Sequence, residues 1–94
     1  MNPQVKQVRP LENFQLKLTF ENGEQRVFDA RPYLEKGVFV RLQDRAAFRA
    51  ARVVAGSVEW PGDLDLSYDT LYLASRPIAA APAAAQGLDI ANRE

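Results

Sequence analysis

The chain has no cysteine and no histidine. The first absence excludes disulfides, thiolate nucleophiles and thiolate metal sites; the second removes the commonest metal ligand and the usual general base near neutral pH. A serine nucleophile activated by histidine is excluded with them, which leaves Ser57 and Ser67 without that chemistry. An excess of either charge is also missing. Twelve basic residues balance twelve acidic ones among 94, so no overall field draws the protein onto nucleic acid or an anionic membrane. No stretch is apolar for long enough to cross a bilayer, and MNPQVKQVRP lacks the apolar run of a signal peptide. A cytoplasmic protein with no membrane partner is the expectation.

What is present is an ordinary globular composition, 47% apolar, with room for one core. Val5, Val8 and Leu11 sit among Lys6, Gln7 and Arg9 in an irregular alternation that suits an edge strand protected by charge and by Pro10. Phe14, Leu16, Leu18 and Phe20 then alternate with polar residues, the period-two pattern of a half-buried strand. Asn22 and Gly23 tolerate positive φ and mark a hairpin. A two-residue loop would turn Asp29 toward the core and Phe28 toward water. A three-residue loop with Gly23 as the left-handed bulge residue pairs Phe20 with Glu24 and Leu16 with Phe28, burying the ring, and is the expected register.

Arg31 is biased to extended geometry by Pro32, which should open a short helical turn ended by Gly37, with Tyr33 and Leu34 facing inward. Val38, Phe39, Val40 and Leu42 are expected to carry the chain back across the core. Asp44 should cap a helix from Arg45 to Ala50 with Phe48 as its one large buried residue. Arg52 to Ala55 and Ser57 to Trp60 read as strands joined at Gly56. In WPGDLDLSYDTLY, residues 60 to 72, Trp60, Leu64, Leu66 and Leu71 supply core surface worth roughly 1.5–3 kcal/mol per buried side chain. Ser67 reads as the N-cap of a last helix, with Asp69 at the positive end of its dipole. The expected fold is α+β, two layers with a mainly antiparallel sheet, in the order β-β-β-α-α-β-β-α. A single domain over 1–75 should be followed by a flexible Ala/Pro-rich tail over 76–94.

Three constellations are candidates for function. Arg41, Arg45, Arg49 and Arg52 recur at three- or four-residue steps, and on one continuous helix they would form a stripe able to grip phosphates or an acidic partner. Asp63 and Asp65 near Glu59 would suit a divalent cation or an acid–base pair. The blander reading has Asp65 accepting backbone N–H bonds in the turn and Asp63 facing water, and no metal or cofactor site is expected. Asp29 ends a strand, where a carboxylate commonly caps the following turn. Tyr33, Tyr68 and Tyr72 offer either interface aromatics or core residues with the hydroxyl at the rim.

The ordered residues FENGEQRVFDARPYLEKG and EWPGDLDLSYDTLY resemble the small bacterial domain of unknown function catalogued as family 2442, up to about Tyr72. Gly23, Asp29, Trp60, Asp65, Ser67, Leu71 and Tyr72 carry the likeness as structural motif residues. The resemblance implies a compact α+β fold with a meander sheet and no established activity. Relatives include chains with an appended helix-turn-helix and suspected halves of toxin–antitoxin-like pairs. The residues after Arg76 have no helix-turn-helix periodicity, and Asp63 stands where the family has glycine, with Gly62 one position earlier. The expected function is a non-catalytic interaction or regulatory module, antitoxin-like, binding a protein partner or a second copy of itself. The alternatives are nucleic-acid binding through the arginine stripe and, third, a carboxylate enzyme.

Overall fold

A computed structural model describes residues 2–78. Seven strands form two antiparallel sheets rather than one. Strands β1 (Val5–Leu11), β2 (Gln15–Phe20), β3 (Gln25–Asp29) and β7 (Arg76–Pro77) make a sheet in that order; β4 (Arg52–Val54), β5 (Ser57–Trp60) and β6 (Leu64–Leu66) make the second. Helical structure is sparse: α1 (Arg45–Phe48) is a single turn, α2 (Tyr68–Ala74) two, and 3₁₀ turns cover Glu12–Phe14, Arg31–Tyr33 and Gly37–Gln43. The class is α+β, while the expected two-layer order is corrected by the additional strands β6 and β7 and by 3₁₀ geometry between β3 and α1. Among the described residues no helix is long and apolar enough to cross a membrane.

The first hairpin adopts the register that buries its aromatic ring. Leu16 pairs with Phe28, Phe20 N–H donates to Glu24 O at 2.9 Å, and Gly23 has φ +90°. Leu16, Leu18, Phe20 and Phe28 are fully buried on one face, while Asp29 falls on the other beside Gln15. A slip of one residue would reverse all of these, which is why the register is so strongly specified.

Between β3 and α1 the chain departs from expectation in two places. The turn before Leu34 starts at Arg31, one residue earlier than proline geometry suggests. Val38 and Val40 are 59% and 46% exposed instead of crossing the core. The three-residue repeat of a 3₁₀ turn places Phe39 and Leu42 on one side and leaves those valines outside. The caps follow the sequence. Asp44 accepts a bond from Ala46 N–H at 3.0 Å, and Ser67 Oγ accepts one from Thr70 N–H at 3.2 Å.

Both sheets contribute to one core: Val5, Leu16, Leu18, Phe20 and Phe28 from the larger, Val58, Trp60, Leu64 and Leu66 from the smaller, closed by Leu34, Leu42, Phe48 and Leu71. The Trp60 indole N–H donates to Phe48 O at 2.9 Å, and the two rings stand 6.0 Å apart. That bond joins the end of α1 to the second sheet. Arg76 and Pro77, expected to open the tail, instead pair with Val27 and Arg26 as β7. Of the expected tail, residues 79–94 lie outside the described residues.

Candidate interaction groove

Where the two sheets meet, their free edges lie side by side. Strand β1 borders the larger sheet and β4 the smaller, and one hydrogen bond, Val5 N–H to Gly56 O at 2.8 Å, joins them at one end. A Cβ on Gly56 would stand 2.8 Å from Gln4 Cβ, so this close approach requires glycine. Beyond the junction a groove of about 580 Å³ opens. Val8, Ala51 and Val53 form an apolar floor; Arg9, Lys17 and Arg52, with Gln7, Thr19 and Gln25, form its polar walls.

The strand register determines which backbone groups face this groove. Phe20 bonds toward β3, so alternation directs Thr19, Lys17 and Gln15 toward β1. Their partners Gln7, Arg9 and Leu11 therefore bond inward, leaving the backbones of Val8 and Pro10 at the edge. Pro10 has no N–H to offer there, which blunts part of the edge. In the other hairpin the two-residue Ala55-Gly56 turn makes Val54 and Ser57 the bonded pair, and the Val53 backbone faces outward by the same alternation. Among the described residues Val8 and Val53 thus bring unpaired main-chain donors and acceptors to the groove.

The arginine stripe does not exist as one helical face, because α1 is a single turn. Arg41 lies in the 3₁₀ turn and donates to Gly62 O at 2.9 Å; Arg45 and Arg49 bracket α1 beside Glu12 and Phe14. Only Arg52 reaches the groove, and it also pairs with Glu59 at 3.2 Å. The acidic corner is equally dispersed. Glu59 and Asp65 are cross-strand neighbours on the outer face of the smaller sheet, and Asp63 sits in the turn with φ +64°. Asp65 is exposed, which corrects the expectation that it caps the turn: strand alternation points its side chain outward between the buried Leu64 and Leu66. The left-handed φ at Asp63 is a geometry that glycine would adopt with less strain. Among the described residues no group of three or more carboxylates could hold a metal ion.

Asp29 caps the following turn, as expected. Its Oδ1 accepts from Arg31 N–H at 3.0 Å, while Arg31 Nε and a terminal guanidinium nitrogen reach the carboxylate at 3.0 and 2.8 Å. Hydrogen bonds from the Arg31 side chain hold this carboxyl below the usual aspartate range, against a smaller opposing effect of burial. Tyr33, Tyr68 and Tyr72 are half-buried against the core. Tyr72 stands edge-on to Phe20 with ring centroids 5.2 Å apart, and Leu71 beside it is fully buried. Hydrogen bonding to Glu24, then desolvation, raises the Tyr72 phenol above its ordinary pKa.

One organising residue escaped the sequence. Arg26 lies on the core side of β3 with only 13% of its side chain exposed. It donates to Ser75 Oγ and Ser75 O, both at 2.8 Å, and its guanidinium carbon stands 4.4 Å from the Tyr72 ring centroid. It thereby satisfies a carbonyl at the end of α2, where a cation is favoured. Its position opposite Leu18 in the register was the available signal, since a charge on a core face requires buried partners.

No curated protein and no solved structure matches the chain. One family model does, over residues 5–77, from the first residue of β1 to the last of β7. The match thus spans both sheets and the groove between them, and the chain belongs to the family described as protein of unknown function (DUF2442).

Proposed function

We infer that the domain is a non-catalytic protein-interaction module, the regulatory, antitoxin-like half of a two-protein system. The observation that carries this reading is the pair of strand edges, β1 and β4, unpaired among the described residues and joined by the Val5–Gly56 bond beside an open groove. Such edges recruit extended segments of other chains by main-chain pairing, with side-chain pockets adding selectivity. The carboxylates Glu59, Asp63 and Asp65 do not line the groove, so an acid–base reading draws no support from it. The arginines proposed for nucleic acid are divided among separate elements, which weakens that alternative.

Purification of the untagged chain from its native host, followed by hydrogen exchange on the free protein and on any complex, tests the proposal. The expected result is a stoichiometric protein partner and slowed exchange at the amides of Val8 and Val53. A chain that always elutes at its own mass, or a complex that leaves both amides unprotected, would overturn it.

A further inference from the structure

Arg9 and Lys17 are directly opposite on adjacent strands, facing the same side of the larger sheet. Like charges in that position destabilise a sheet unless something neutralises them. Among the described residues neither cation joins an ion pair; Arg31 occupies Asp29, the carboxylate farther along that face, and no acidic side chain lines the groove. Arg52 adds a third positive group from the opposite wall. Among the described residues the groove therefore carries two unpaired cations, Arg9 and Lys17, and a third, Arg52, shared with Glu59, above an apolar floor and between two strand edges with main-chain groups to spare.

Resting on the interaction reading above, we propose that this groove takes an extended acidic peptide segment of a partner protein, in which carboxylate side chains alternate with apolar ones. In extended backbone alternate side chains point to opposite sides. Carboxylates on one side meet Arg9, Lys17 and Arg52, apolar groups on the other meet Val8, Ala51 and Val53, and the peptide backbone meets the Val8 and Val53 edges. A single-stranded nucleic acid would satisfy the cations but not the remainder. No aromatic side chain lines the groove to stack a base, and stacking supplies much of the affinity in single-strand sites.

The test is fluorescence anisotropy with the full chain and three labelled probes: a hexapeptide of alternating glutamate and valine, its glutamine–valine counterpart, and an oligothymidylate. The acidic peptide should bind most tightly and should weaken about tenfold in Arg9→Glu and on raising salt from 20 mM to 0.5 M, about the response of rim charges. Lys17→Gln, a milder change, should act in the same direction, and Arg45→Glu, outside the groove, should leave affinity unchanged. Circular dichroism of each variant separates lost binding from lost fold. Equal affinity for the glutamine peptide, tighter binding of the oligothymidylate, or an acidic-peptide affinity unmoved in both folded groove variants would overturn the proposal. If native partner capture and Val8 protection persist while the acidic peptide fails, the peptide assignment falls and the interaction module stands. If capture and protection fail as well, both fall.

Discussion

At the residue scale, two side chains show how a single group sets local stability. Trp60 is fully buried, and its indole N–H satisfies the carbonyl of Phe48 where water does not reach. Trp60→Phe removes that bond, leaving the Phe48 carbonyl only the longer one from Ala51 N–H at 3.3 Å, and leaves part of the indole's space unfilled, so unfolding in urea should show a loss of about 1–3 kcal/mol. A loss below about 0.5 kcal/mol, the scatter of surface substitutions, would mean that the bond contributes little. Asp29 predicts a pH dependence with a definite sign. Its folded pKa is depressed by Arg31, so its contribution is complete above the unfolded aspartate value and is lost as pH falls through the folded one. Wild type should therefore lose stability more steeply than Asp29→Asn as pH drops from about 5 to 2. Parallel curves for the two proteins would show that the ion pair is not felt.

At the element scale, turn chemistry determines how well each hairpin forms. The β4–β5 turn places Ala55 at φ +52° and Gly56 at φ +82°, the mirror-image geometry that suits asparagine followed by glycine. Alanine is a poor occupant of the first position because its Cβ crowds the backbone there. Ala55→Asn should raise stability by about 0.5–1 kcal/mol, read as a higher thermal midpoint with unchanged circular dichroism. No gain would indicate a turn that relaxes in solution. Ser67→Ala removes the N-cap of α2 and should cost about 1 kcal/mol, whereas Ser67→Asp should retain most of it. Equal stability of both variants with wild type would show that the short helix is held by Leu71 and Arg26 rather than by its cap.

For the whole molecule, the balance of charge conceals an uneven distribution. Net charge is zero, yet Arg9 and Lys17 oppose each other on a face whose nearby carboxylate is already paired. Lys17→Gln should raise stability by a few tenths of a kcal/mol, about 0.2–1, at low ionic strength. The difference should vanish near 1 M salt, where the Debye length is about 3 Å. A difference independent of salt would point to the lysine stem and its packing instead of its charge.

Several features of the fold were legible because short-range rules left one acceptable answer. The first hairpin could not slip without burying Asp29 and exposing Phe28, and Ser67 and Asp44 stand where an apolar run needs a cap. Strand β6 has three residues and β7 two, too few for a periodic signal to develop. They exist because Val58, Glu59 and Trp60 offer one edge, and Arg26 and Val27 another. The groove was illegible for the same reason. Its cations come from Arg9, Lys17 and Arg52 on three different strands, and of the regularly spaced arginines only Arg52 is among them, since Arg41, Arg45 and Arg49 fall on or beside other elements.

By itself the order of residues determined that Leu16, Leu18, Phe20, Phe28 and Trp60 are buried, that a tight turn falls at Gly23 and that Asp44 and Ser67 cap their helices, since each depends on near neighbours and on a choice between water and core. Only tertiary structure decided that the strands divide into two sheets, that Arg26 closes α2, and that a basic groove opens between β1 and β4. Those outcomes depend on pairings between distant segments, where hydrogen bonds and charges act across space irrespective of sequence separation.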